Sequence, residues 1–298
     1  MKQAHPITEF KRILLAVDGS EHSMVTVDPV TALATATGAE VQVLHVWNAE
    51  VHSRSGRGDV ETHAEARAFV SAIAARLTER GVAATTRLDA ASKDVVPAAI
   101  VAAATQFDAD LIAVGSRGMD DFKALLFGSV SQRVLHDSDC PVLVVRAGKA
   151  DQVRAGVRRL LVAVARHDDA EPATAAAMAV AKGTGAVVMV VHVRYFTAGE
   201  GAAWIEPGEE ATELVDGVVS RLRAAGVTAE GMVTTPSPTV APDITALARS
   251  WDADLIVMGS RRPSGLGALF PSSVNHQVIQ AADRPVLVAE RLVTNQQK

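Results

Sequence analysis

Gly115-Ser116-Arg117-Gly118-Met119-Asp120-Asp121-Phe122-Lys123-Ala124-Leu125-Leu126-Phe127-Gly128-Ser129-Val130-Ser131 follows the apolar run Leu111 to Val114 and leads into a stretch that reads as a helix from Ser129 to about Asp137. Strand, glycine-spaced loop and helix in succession are the repeating unit of an α/β fold. Glycines stand at 115, 118 and 128, nine residues separate the last two, and a hydroxyl follows at Ser129. Free backbone N–H groups and the positive end of a helix macrodipole meet at such a place, so the spacing predicts a cradle for an anion such as phosphate.

The chain carries this unit twice. Asp108 to Val145 overlays Asp252 to Ala289 at a constant offset of 144, with 18 identities in 38 positions. Earlier segments repeat at an offset of 147: Arg12-Ile13-Leu14-Leu15-Ala16-Val17 matches Arg159-Leu160-Leu161-Val162-Ala163-Val164, and Gly38 to Val46 matches Gly185 to Val193. Internal duplication follows, with copies of about 145 residues, an ordinary domain size. We expect one domain over 1–147 and another over 157–298, joined by the small, polar residues 147 to 157.

Runs such as Ile13 to Val17, Val41 to Val46, Leu111 to Val114 and Val142 to Val145 are almost wholly apolar. That pattern suits parallel strands covered by helices on both faces. Ser23 to Thr37, Val60 to Arg80 and Val95 to Gln106 read as helices between them, with Gly38 and Gly81 as stop residues. In the second copy, strands are expected near Leu160 to Ala165, Val187 to Val193, Val227 to Val233, Leu255 to Met258 and Val286 to Ala289. Each copy is therefore predicted to be an α/β domain with an open parallel five-stranded sheet. Asn48 to Asp59 and Thr197 to Gly208 fall at matching places and read as mobile loops.

Composition narrows the function. The 298 residues are 48% hydrophobic and 21% charged, enough for two buried cores, and a formal charge of -5 with mixed signs offers no basic stripe for nucleic acid. One cysteine, Cys140, excludes an intrachain disulfide and a cysteine-based zinc cage, and it reads as a small buried residue. Residues 1 to 11 lack the apolar stretch of a signal peptide, and no run reaches the roughly 18 to 20 apolar residues of a membrane span, so the expectation is a cytoplasmic protein without membrane contact.

Ligands of open α/β sheets bind beyond the carboxyl ends of the strands, where strand order reverses. Asp18 ends the first strand and Gly115 the fourth, so neighbouring strands would set a carboxylate and the glycine loop at one crevice. Asp18 could accept from a ribose hydroxyl or an adenine amino group, with Val46 and Val114 as an apolar wall and Ser129 and Ser131 as hydroxyl donors. Arg117 reads equally as a phosphate contact or a solvated side chain. The plainer alternative is that the glycines only shape a turn and that Ser129 is an N-cap.

Val17-Asp18-Gly19-Ser20, Gly115-Ser116-Arg117-Gly118, Leu126-Phe127-Gly128-Ser129-Val130-Ser131 and Cys140-Pro141-Val142-Leu143-Val144-Val145 together resemble the universal stress protein family, and the likeness spans both halves. The resemblance implies a Rossmann-like strand order of 3-2-1-4-5, with the last strands, Pro141 to Val145 and Pro285 to Ala289, pairing so that the halves form a pseudo-dimer. It implies that Ala16, Asp18 and Val46 surround an adenosine and that Gly115, Gly118, Gly128, Ser129, Val130 and Ser131 hold ribose and phosphates. ATP, alone or with Mg²⁺, is the implied ligand.

The second copy departs from this pattern. Ala165 replaces Asp18, Arg262 replaces Gly118, Ser272 replaces Gly128, and Val193, Gly259 and Ser273 remain at the positions of Val46, Gly115 and Ser129. Added Cβ atoms, and Pro271 without a donor, predict weak or absent nucleotide binding there, although Arg262 could pair with a phosphate.

His45 and His192 recur at strand ends and read as packed at a domain interface, and His167-Asp168-Asp169 reads as a polar turn before a helix. Without a Walker lysine or a ring of carboxylates, any hydrolysis of ATP is expected to be slow. The sequence thus favours a nucleotide-dependent regulatory module with a protein partner it does not name and a homodimer left open. A slow ATP hydrolase or autophosphorylating enzyme, and an interaction scaffold that binds no nucleotide, are the alternatives.

Overall fold

The computed structural model describes residues 9–47, 61–116, 129–146, 156–165, 167–194, 196–197, 204–205, 207–235, 237, 239–260 and 273–290. The chain divides into two compact units, Phe10–Ala150 and the part from Asp151 onward.

The first unit runs β1 (Arg12–Val17), α1 (Glu21–Met24), α2 (Val27–Thr37), β2 (Glu40–Trp47), α3 (His63–Glu79), β3 (Ala84–Ala90), α4 (Val96–Phe107), β4 (Leu111–Ser116), α5 (Ser129–Asp137) and β5 (Val142–Arg146). All described pairings are parallel and give the order β3-β2-β1-β4-β5. Ile13, Leu14 and Leu15 of β1, Val41, Val43 and Leu44 of β2, and Leu111, Ile112 and Ala113 of β4 have no exposed surface. Strands covered on both faces need no apolar and polar alternation, hence the continuous runs of Val, Leu and Ile. Burial of each such side chain contributes on the order of 1.5–3 kcal/mol.

Helix α1 lies against β4, α3 against β2 and β3, and α4 against β1 and β2. The stretch expected as one helix over Ser23 to Thr37 is two. Pro29 cannot continue a helix through residue 25, because its ring meets the carbonyl four residues back. The hydroxyl of Thr26 donates to the carbonyl of Ser23 at the break. Helix α3 starts on a reciprocal cap, with Thr62 Oγ1 accepting from Glu65 N–H and the Glu65 carboxylate accepting from Thr62 N–H.

The second unit runs β6 (Arg159–Ala163), α6 (His167–Thr184), β7 (Val187–His192), β8 (Phe196–Thr197), β9 (Trp204–Ile205), α7 (Gly208–Ala224), β10 (Ala229–Val233), α8 (Val240–Ser250), β11 (Leu255–Ser260), α9 (Val274–Ala281) and β12 (Val286–Glu290). Its parallel sheet has the corresponding order β10-β7-β6-β11-β12. Two expectations change here. Phe196 pairs with Ile205 and Thr197 with Trp204 in a short antiparallel ribbon, where a loop was expected. His167, Asp168 and Asp169 form the first turn of α6 instead of a turn ahead of it.

Some devices are duplicated. Asp110 Oδ2 accepts from the N–H groups of Lys11 and Arg12 at 2.8 and 2.9 Å, and Asp254 Oδ2 accepts from those of Arg158 and Arg159 at the same distances. In each copy a carboxylate clasps the entry of the central strand. Asp108 and Asp252 both adopt positive φ, 63° and 56°, after α4 and α8, a conformation that short polar side chains tolerate. Cys140 is half-buried, more open than expected, and its N–H donates to Ser138 Oγ.

Candidate functional site

In the first unit the strand order reverses between β1 and β4. Their register sets Ala16 opposite Val114, both buried, with Gly115 one residue further along β4. On the other side Val17 stands opposite His45, and the same register carried one residue on sets half-buried Val46 beside Asp18. Asp18, Gly115 and the apolar residues expected around an adenosine therefore share the carboxyl ends of three adjacent strands.

A local turn fixes Asp18. Gly19 has φ +79°, which turns the chain sharply out of β1 into α1. Asp18 Oδ1 accepts from Ser20 N–H at 3.0 Å and from Ser20 Oγ at 2.5 Å. Ser20 Oγ in turn accepts from Ser23 N–H as the N-cap of α1, while Asp18 N–H donates to Ser23 Oγ at 3.1 Å. Ser20 holds Oδ1 in this way, and an ionised carboxylate keeps acceptor capacity beyond these two bonds. Partial burial raises the Asp18 carboxyl, but hydrogen bonds involving Ser20 and Ser23 and the nearby His45 outweigh it and hold the group below its ordinary value. At neutral pH Asp18 is an anion with acceptor capacity beyond its own turn.

Gly115 is constrained from the opposite side. A Cβ there would stand 2.6 Å from the carbonyl carbon of His22 and 2.7 Å from Ser23 Cα. The approach of α1 by itself requires a glycine here. The same approach carries Ser20 and Ser23 to Asp18, so the glycine of β4 and the turn after β1 depend on one another.

Ser129 opens α5, Val130 is half-buried and Ser131 is buried. Arg117, Gly118 and Gly128 lie outside the described residues, as do the expected loop over Asn48 to Asp59 and most of the linker.

His45 lies deeper than a surface contact residue. The residue is 4% exposed; its ring places Nδ1 2.8 Å from the Val17 carbonyl and Nε2 2.8 Å from Glu61 Oε2, and Phe69 packs edge-on at 5.5 Å between ring centroids. These partners belong to its own unit, so it is accounted for without a domain interface. Glu61, Ser20 and Ser23 were not singled out in the sequence. The Asp-Gly-Ser triplet signals a side-chain turn and could have revealed Ser20, whereas Glu61 is brought in by the fold alone.

The second unit places Ala165, exposed, after β6, with Val193 buried and Gly259 half-buried at the end of β11. Ser273 is the N-cap of α9, its Oγ accepting from His276 N–H. Asn275, which stands where the first unit has Ser131, donates from Nδ2 to the Gly259 carbonyl at 2.9 Å. Its amide ties the start of α9 to the end of β11. Arg262 and Ser272 lie outside the described residues.

Fold and candidate site define a class: two doubly wound, Rossmann-like α/β domains in tandem, with the first presenting a carboxylate where its strand order reverses. Within that class, the Universal stress protein family matches residues 9–146 and 156–290, and the chain belongs to that family. A universal stress protein of Thermus aquaticus is 38% identical over 138 residues, which cover 46% of this chain and 99% of that one. Universal stress protein Rv2623 of Mycobacterium tuberculosis is 28% identical over 214 residues, 67% of this chain and 69% of its own. The crystal structure of a universal stress protein from Archaeoglobus fulgidus superposes with a TM-score of 0.75 at 26% identity, covering 94% of this chain and 98% of that one. Among the described residues no helix is long and apolar enough to cross a membrane.

Proposed function

We propose that the first unit binds an adenine nucleotide, ATP in particular, and that its occupied and empty states select different conformations or protein partners of the chain. The observation that carries this reading is the Asp18 carboxylate: one oxygen fixed by Ser20, acceptor capacity to spare, at the reversal of strand order and beside Gly115. An anion so placed suits ribose hydroxyls or an adenine amino group, both donors, and the phosphates would extend toward the glycine-spaced segment and the start of α5. Mg²⁺ would accompany ATP through its phosphates, and no side chain of the protein is assigned to it. The second unit, with Ala165 in place of the carboxylate and Asn275 bonded to Gly259, is the weaker or silent site.

The test is to denature the purified protein, identify any released nucleotide by mass, and titrate the nucleotide-free protein with ATP by calorimetry. Binding that disappears in Asp18→Ala and in Gly118→Ala is expected. An absence of heat with every adenine nucleotide would reject the reading.

A further inference from the structure

His45 is one of the few buried polar side chains of the first unit, and the proposed function gives it no part. A backbone carbonyl oxygen only accepts hydrogen bonds, so Nδ1 of the ring donates to Val17 O, while Nε2 shares a proton with Glu61 Oε2; in its protonated form the ring is one of the charges that lower the Asp18 carboxyl. The ionisable groups that bear on the ring are Glu61, just ahead of α3, and Asp18, just beyond β1. The bond to Val17 holds the peptide from which Asp18 emerges.

We propose that His45 is a positioning residue for Asp18, pinning the Val17–Asp18 peptide through Nδ1 and, when protonated, setting a positive charge, itself held by Glu61, behind the carboxylate that receives the nucleotide. The inference rests on the reading of Asp18 as the nucleotide's acceptor. The second unit supplies an internal comparison. His192 makes the same bond, 2.7 Å from Nδ1 to the Val164 carbonyl, but the residue that follows is Ala165. There the histidine is a clasp at a strand end, and the position of Asp18 holds an alanine. The first unit adds the second role to the same clasp.

The experiment follows the Asp18 carboxyl by NMR titration in the full chain without nucleotide and measures ATP affinity on the same samples. His45→Asn keeps a donor near the Val17 carbonyl and deletes the ring charge, whereas His45→Ala deletes both. The expected result is an Asp18 midpoint that rises in both variants. ATP binding should weaken about fivefold in His45→Asn, the scale of one charge interaction in a partly exposed site. His192→Asn should change neither readout. An Asp18 midpoint in His45→Asn equal to that of the parent protein would overturn the inference, as would a shifted midpoint with parental ATP affinity. If the parent protein binds no ATP, the functional reading falls, and the midpoint alone decides whether His45 positions Asp18.

Discussion

At position 115 a methyl group would press on the His22 carbonyl and on Ser23 Cα, both of them backbone and unable to swing aside. Gly115→Ala must therefore push α1 outward, and overpacking of this kind typically costs about 1–3 kcal/mol. Since α1 carries Ser20 and Ser23, the substitution should lower the melting temperature and loosen the hold on Asp18, weakening ATP binding in the same protein; calorimetry of heat unfolding and of binding would read both. Asp18 itself has a depressed carboxyl, so its stabilising hydrogen bonds are fully present above the usual carboxylate value of 3.8 and fade as pH falls through its lower folded value. An NMR titration midpoint at or above 3.8 would contradict that account. The sequence alone showed Asp18 and Gly115 to be important because each ends a recognisable strand. It did not show why 115 is glycine, since the reason is a helix that approaches from nearly a hundred residues earlier.

Among the elements, legibility followed burial. Central strands β1, β4, β6 and β11 announce themselves as apolar runs because both faces are covered, but β3 reads Ala84-Thr85-Thr86-Arg87-Leu88-Asp89-Ala90 and, at the edge of its sheet, gives no such signal. The division between α1 and α2 was marked by Pro29, whose effect four residues upstream is easily missed in an alanine-rich stretch. Two element-level substitutions test the packing of the second unit. Gly231 of β10 faces Val215 of α7, and a Cβ would also approach Val219 Cγ2 to 3.1 Å. Gly231→Ala should destabilise that unit by roughly 1–3 kcal/mol, measured by denaturant unfolding, because valine has few rotamers with which to yield.

Just ahead of β12, Asp283 and Arg284 form a buried pair, 5% and 8% exposed at their side chains. Arg284 Nε donates to Oδ1 at 2.8 Å, and Arg249 Nε donates to Oδ2 at 3.0 Å. Burial raises the Asp283 carboxyl, but the two guanidinium groups prevail and bring it down to about 2. The stabilisation is thus complete above pH 3.8 and lost as pH falls toward 2. Asp283→Ala strands a buried cation and should cost about 3–5 kcal/mol, with the deficit against the parent protein shrinking below pH 3.8 in acid unfolding curves.

For the molecule as a whole, duplication preserved the framework and let the sites diverge. The clasps Asp110 and Asp254, the left-handed Asp108 and Asp252, and the strand-end histidines His45 and His192 recur in both units. The aspartate clasps and the histidines satisfy backbone atoms that any copy of the fold must satisfy, whatever it binds. The carboxylate of Asp18 satisfies no such need beyond its own turn, and the second copy has dispensed with it. Identity between the halves therefore made the fold plain in the sequence, and their differences, Asp18 to Ala165 above all, marked the candidate site. The contacts that tune the site, from Ser20, Ser23, Glu61 and, in the other unit, Asn275, emerged only once the chain was folded. The central claim is that the two halves are unequal in nucleotide binding. Equilibrium titration of nucleotide-free protein with ATP tests it most directly: one tight site per chain, abolished by Asp18→Ala, is predicted, and two equivalent sites or none would contradict it.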